Sequence, residues 1–125
     1  MSLVHGDLSN QVLGAAFRVH SALGEGLLER VYEQAFKLEL QALGIPFVCQ
    51  QGFDVVYRGM VVGQFKADLV VAGKILVELK AVGQVSSGMD SQLFNYLKLS
   101  GLSVGYLFNF HAPSLWYKRV VRGGG

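Results

Sequence analysis

Residues 75–82, Ile75-Leu76-Val77-Glu78-Leu79-Lys80-Ala81-Val82, are apolar except for one carboxylate and one ammonium two positions apart. Aliphatic and β-branched residues bounded by turn signals predict a central strand, and strand alternation puts Glu78 and Lys80 on one face. An unpaired ion buried in such a strand costs several kcal/mol, so the two groups must be paired, hydrated or bound to a metal. Only 16% of the chain is charged, against about 25% in ordinary proteins. A charge inside an apolar run therefore carries information. The preceding run, Phe65-Lys66-Ala67-Asp68-Leu69-Val70-Val71, holds another such charge, the carboxylate of Asp68.

Whether Asp68 meets Glu78 depends on the turn between the runs. A three-residue loop Ala72-Gly73-Lys74, with Gly73 at positive φ, pairs Val71 with Ile75 and sets Asp68 opposite Glu78. A two-residue Ala72-Gly73 turn puts the carboxylates on opposite faces unless a bulge intervenes. Both remain open from the sequence.

The rest of the chain frames this pair. Apolar spacing predicts a helix over 8–22, capped by Ser9 or Asn10, and a second over 27–43, ended by Gly44 and Pro46. In the second, Leu28, Val31, Ala35, Leu38 and Ala42 form an apolar stripe that Tyr32, Phe36, Leu40 and Leu43 widen, which predicts cover on more than one side. Strands are predicted over 47–57, 61–72 and 75–82 as an antiparallel meander turning at Arg58-Gly59-Met60 and Ala72-Gly73-Lys74. Ser86-Ser87-Gly88 opens a third helix over 89–100, with Leu93, Tyr96, Leu97 and Ser100 on one side. Strands over 102–110 and 115–121 follow, the last an edge strand, and 123–125 is a frayed end.

The order ααβββαββ predicts a single α+β (α/β) domain spanning 1–125, with a mixed sheet flanked by helices. A length of 125 residues suits one hydrophobic core. Cys49, the single cysteine, makes no internal disulfide or zinc site by itself. No run approaches the length of a membrane span, and no secretory leader is recognisable, so the expected compartment is the cytoplasm.

Two carboxylates and a lysine on one sheet face suit metal-assisted phosphodiester hydrolysis. Hard carboxylate oxygens hold Mg²⁺ or Mn²⁺, which retains several waters, and the lysine positions the attacking water or stabilises developing charge. The same residues also fit an ordinary cross-strand salt bridge, Glu78 to Lys80 or Lys66, at a solvated sheet end.

Asp68 followed by Glu78-Leu79-Lys80 resembles the D…(D/E)xK signature of the PD-(D/E)XK nuclease superfamily. Upstream, Gly26-Leu27-Leu28-Glu29-Arg30-Val31-Tyr32 reads G-x-x-E-x-x-Y. Together with Val19-His20 before Leu23-Gly24 and with Gln92-Leu93-Phe94-Asn95-Tyr96-Leu97, it is similar to the GxxExxY protein family of that superfamily. The resemblance implies a restriction-endonuclease-like αβββαβ core with an extra N-terminal helix and C-terminal strand. It implies metal ligation by Asp68 and Glu78, with the Leu79 carbonyl as a further ligand. Glu29 matches a helical acid that completes the site, and His20 a helical histidine ligand. Lys80 matches the catalytic lysine, while Gln92 and Tyr96 match the Q-x-x-x-Y element of RecB-type nucleases. Ala67 stands where the stricter pattern has proline, which is not a ligand. From the residues alone, Glu29 is also a solvated helical acid, His20 a packed ring, and Tyr32 and Tyr96 packing groups.

Residues 1–97 carry nine acids and seven bases, whereas 98–125 carry Lys98, Lys118, Arg119 and Arg122 without an acid. With Trp116 and Tyr117 beside them, these bases suit a nucleic-acid backbone or a charged edge strand that blocks sheet pairing. The expected activity is a Mg²⁺-dependent nuclease acting on DNA or RNA. The alternative is a non-catalytic nuclease-fold module that binds nucleic acid or protein. The apolar strands admit a homo-oligomer in either case.

Overall fold

The structure is a computed structural model that describes residues 4–85 and 87–123. Ser86 of the predicted helix opening and Gly124 and Gly125 of the predicted frayed end lie outside the described residues. Eight elements follow the predicted order: α1 (Gly6–Leu23), α2 (Glu29–Ala42), β1 (Phe47–Tyr57), β2 (Met60–Val71), β3 (Ile75–Lys80), α3 (Ser87–Ser100), β4 (Val104–Asn109) and β5 (Trp116–Val121). The strands form one five-stranded sheet in the order β1-β2-β3-β4-β5. The β1–β2, β2–β3 and β4–β5 pairs are antiparallel and β3–β4 is parallel, with α3 as the crossover. This is the mixed, helix-flanked α+β sheet expected.

Ala72-Gly73-Lys74 forms the three-residue loop: Val71 pairs with Ile75, Val70 with Leu76 and Leu69 with Val77. Ala72 and Gly73 both take positive φ, 53° and 65°, and the Lys74 N–H donates to the Val71 carbonyl at 2.9 Å. The turn thus fixes the register on which the site depends.

The helices cover opposite faces of the sheet. On one, Val12, Ala15, Ala16 and Val19 of α1 and Tyr32, Phe36 and Leu40 of α2 pack with Val71, Val77, Leu79 and Phe108. On the other, Leu93 and Leu97 of α3 pack on Leu76 and Leu107. The outer half of the β1–β2 hairpin joins the second face. Leu69 lies in the α1–α2 cluster, but Ala67, two residues away, lies in the α3 cluster. Strict alternation would keep them on one face. The change of face falls where Gln50 of β1 takes φ 50° and the ladder skips from Cys49↔Leu69 to Gln51↔Ala67.

Three local expectations are corrected. α1 starts at Gly6 after His5, which has φ 53° and makes no side-chain cap, whereas Ser9 is buried in the first turns with an unpartnered Oγ. α2 buries the Tyr32, Phe36 and Leu40 stripe alone, leaving Leu28 77% and Leu38 66% exposed. Three aligned large side chains fill the sheet face, so of the second stripe Ala35 packs at the edge of the core while Leu28, Val31 and Leu38 are left in solvent. β3 ends at Lys80, two residues earlier than predicted, because the Asn109 side chain takes over the backbone groups of Val82.

Gly105 in β4 lets α3 sit close to the sheet. A Cβ there would stand 3.1 Å from Leu93 Cδ1 and 3.2 Å from Leu97 Cδ2. Gly105→Val is expected to lower stability by about 1–3 kcal/mol through overpacking, read as a lower urea midpoint. An unchanged midpoint would contradict this seating of α3.

Candidate active site

The site lies where the sheet forks. The β2–β3 ladder stops at Leu69↔Val77, although both strands continue. Beyond that step β2 pairs with β1 while β3 stays with β4. The β2–β3 register carries Asp68 opposite Glu78, and their carboxyl groups occupy the fork. The Leu79 N–H donates to Asp68 Oδ2 at 2.8 Å, and the Asp68 N–H reaches Glu78 Oε1 at a long 3.4 Å. Side-chain oxygens therefore accept from backbone amides where a continuous ladder would use carbonyls.

Glu78 is 8% exposed. Burial, reinforced by the adjacent Asp68 charge, pushes its carboxyl up to about 9, and Lys80 opposes this only weakly. At neutral pH, Glu78 keeps its proton when no cation is near. Lys80, half-buried, follows on the same strand face. The salt-bridge alternative is not realised. The ion pairs among the described residues are Arg18–Glu39 and Lys118–Asp90, both outside the fork.

Glu29, the first residue of α2, feels the same groups. Burial raises its carboxyl, Lys80 lowers it and Asp68 raises it. Its placement is set by Tyr32, whose hydroxyl donates to the Gly24 carbonyl at 2.6 Å and accepts from the Leu27 N–H at 3.2 Å. The Tyr32 ring stacks on Phe110 at 4.5 Å. The glycine and tyrosine of G-x-x-E-x-x-Y thus form and pin the turn that delivers the acid.

On the α3 side, Tyr96 lies parallel to Phe65, with ring centroids 4.0 Å apart. Burial and then the Glu78 charge raise the Tyr96 hydroxyl, while Lys80 and then Gln92 act against them. Asp68, Glu78, Lys80, Glu29, Gln92 and Tyr96 accordingly surround one fork.

The remaining candidates sit differently. His20 is buried against Phe110, and its Nε2 stands 2.8 Å from the Ala112 carbonyl. That acceptor fixes the proton on Nε2 and leaves only Nδ1 as a lone pair. Among the described residues, no three His, Cys, Asp or Glu side chains stand close enough together to hold one ion. Lys98 is exposed on α3. Lys118 pairs with Asp90 at 2.9 Å, and Arg119 donates to the Val4 carbonyl at 2.9 Å. Successive β5 residues point to opposite faces, so these two bases do not form one patch.

The sequence did not single out Asn109 as a site residue. It is 4% exposed and bonded to both backbone groups of Val82, just beyond Lys80. Its signal was a polar side chain at the end of an apolar strand.

The donor set suits a hard divalent cation. Mg²⁺ commonly takes one or two carboxylates and completes its shell with water and substrate phosphate. Two adjacent carboxyl groups, Glu78 buried and Asp68 half-buried, meet that requirement.

A family model described as the PD-(D/E)XK nuclease superfamily matches residues 6–120. Two solved structures share the fold. A protein named SSO0001 has a TM-score of 0.57 and 16% identity, covering 94% of this chain and 59% of its own. An alkaline exonuclease from Laribacter hongkongensis has a TM-score of 0.56 and 11% identity, covering 98% of this chain and 73% of its own. The chain thus spans less than two thirds of the first. No curated protein matches.

The raised Glu78 carboxyl has a consequence for stability. Its proton stabilises the metal-free fold fully below the unfolded value near 4.5, and that contribution is lost as pH rises toward about 9. Urea midpoints of the metal-free protein are expected to fall across this window, by at most about 1.4 kcal/mol per pH unit from this group. Glu78→Gln is expected to flatten the slope. Parallel profiles for the two proteins would contradict the assignment.

Proposed function

The chain belongs to the PD-(D/E)XK nuclease superfamily, and from that premise we propose that it hydrolyses phosphodiester bonds of DNA, with RNA as a second substrate, using a divalent cation. Within the superfamily we assign it to the GxxExxY proteins on Gly26, Glu29 and Tyr32. The observation that carries this reading is the Asp68–Glu78 carboxyl pair in the sheet fork, with Lys80 following on the same strand face.

Asp68 and Glu78 would hold the cation, Mg²⁺ or Mn²⁺, with the Leu79 carbonyl as a further oxygen, and Glu29 would contribute directly or through water. Bound there, the cation supplies positive charge for the scissile phosphate and makes water more acidic. Lys80 donates hydrogen bonds to the attacking water and offsets negative charge growing on the phosphate. Attack at phosphorus forms one P–O bond and breaks the bond to the leaving oxygen, which takes up a proton. Gln92, held against Tyr96, steadies the phosphate. Tyr96, Lys98, Lys118 and Arg119 extend the contact along the strand being cut, Lys118 and Arg119 by exchanging Asp90 and the Val4 carbonyl for phosphate.

All of these residues come from one chain, so a homo-oligomer would leave the chemistry unchanged. We place the activity on cytoplasmic nucleic acid. No helix among the described residues is long and apolar enough to cross a membrane.

The test is Mn²⁺-dependent nicking of supercoiled plasmid and cleavage of single-stranded DNA. Lys80→Ala and Glu78→Ala are each expected to reduce the rate by at least about 100-fold. Equal rates in the wild type and the double variant would assign the activity to a contaminant and favour the non-catalytic binding module.

A further inference from the structure

Where β3 leaves the sheet, the ordinary β3–β4 ladder ends on the pair Lys80↔Asn109. The Phe110 N–H donates to the Lys80 carbonyl at 3.0 Å, and no regular strand follows Lys80. The Asn109 side chain then continues the pairing. Its Oδ1 accepts from the Val82 N–H at 3.0 Å, and its Nδ2 donates to the Val82 carbonyl at 2.9 Å. The same Oδ1 accepts from the His111 N–H at 3.3 Å. One amide thus satisfies three backbone groups, two on the segment leaving β3 and one on the segment leaving β4.

The position of this clamp gives it a role. Residues 81–85 carry the chain from Lys80 to α3, the helix that bears Gln92 and Tyr96. Without the clamp, the last residue of β3 would be held to β4 by ordinary ladder bonds alone, and strand ends held that way fray readily. Asp68 and Glu78 do not depend on it. Their partners are the Leu79 and Asp68 amides on the other side of β3. The amide is also chemically specific, because Val82 presents a donor and an acceptor together and only a carboxamide matches both in one plane.

We propose that Asn109 is a positioning residue that holds Lys80 over the Asp68–Glu78 pair by fixing the backbone at Val82, without itself touching substrate or metal. The proposal rests on the reading of Lys80 as the group that orients the attacking water. It separates the site into two independently held halves. The carboxylates are fixed by the β2–β3 fork, and the lysine is fixed by Asn109.

The test combines two measurements on Asn109→Ala, with Asn109→Ser as a milder second variant. The first is the NMR signal of the Lys80 ε-carbon, which requires no activity. In the wild type it is expected to respond when Asp68→Asn removes the charge of the carboxyl pair. In the Asn109 variants it is expected to move to the position of exposed lysines and to lose that response. The second measurement is Mn²⁺-dependent nicking. Here kcat is expected to fall about tenfold, as for a misplaced catalytic group, with KM and Mn²⁺ affinity within about threefold of wild type. Asn109→Ser is expected to fall between the two proteins on both measurements. An unchanged Lys80 signal would overturn the proposal. So would kcat, Mn²⁺ affinity and urea midpoint all falling together, which marks general loosening. A wild type without nicking activity would sink the nuclease reading, while the Lys80 signal would still decide the role of Asn109.

Discussion

The fork between β2 and β3 is the constraint on which the rest of the site depends. A sheet ladder satisfies backbone groups in pairs, so two strands cannot separate inside a domain unless other groups take over the freed amides. Here Asp68 Oδ2 takes the Leu79 N–H, and Glu78 Oε1 lies toward the Asp68 N–H. The same two carboxyl groups are thus backbone caps for the fold and candidate ligands for a cation. That double duty explains how two acids persist in strands that are otherwise apolar. It also explains why Glu78 is driven to keep its proton when alone. Burial disfavours its charge first, and the neighbouring Asp68 carboxylate adds a repulsion that protonation relieves.

Around the fork, each further group is delivered by its own device. The Ala72-Gly73-Lys74 loop sets the register. Tyr32 ties Gly24 and Leu27 into the turn that brings Glu29 in from α2, and its ring rests on Phe110, directly after Asn109. Gly105 admits Leu93 and Leu97, which seats α3 and hence Gln92 and Tyr96. Rigid elements thus place every candidate group except Lys80, which sits where β3 ends. Its backbone is the part of the site with the least regular support.

The sequence was most legible where one physical rule dominated. Charge inside an apolar strand is costly, so Asp68, Glu78 and Lys80 stood out, and the turn residues reduced their arrangement to two registers. Element order was readable from periodicity, but the choice of buried face on α2 was not. Leu28, Val31 and Leu38 are as apolar as the buried stripe, yet Tyr32, Phe36 and Leu40 fill the sheet face. Periodicity reports that a helix is amphipathic and cannot rank two apolar stripes. The face change between Ala67 and Leu69 was hidden for a related reason. It goes with a positive φ at Gln50 on the neighbouring strand, and glutamine carries no sequence signal for that conformation. The basic C-terminal segment was legible as composition only. Its charges alternate across β5, and Lys118 and Arg119 find partners on different elements.

These features change the meaning of the short G-x-x-E-x-x-Y pattern. Read as a string, it suggests three residues acting together. In three dimensions the tyrosine faces the core and holds the turn in which the glycine stands, and only the glutamate feels the charges of Lys80 and Asp68. Glu29 meets the fork from the first residue of α2. A cation held by two protein carboxyl groups keeps most of its coordination positions open, and those positions are where phosphate and the attacking water must both fit. A third carboxylate in direct contact would add affinity and fill one of those positions. In a two-carboxylate site, affinity would thus be limited by the same arrangement that would leave space for chemistry.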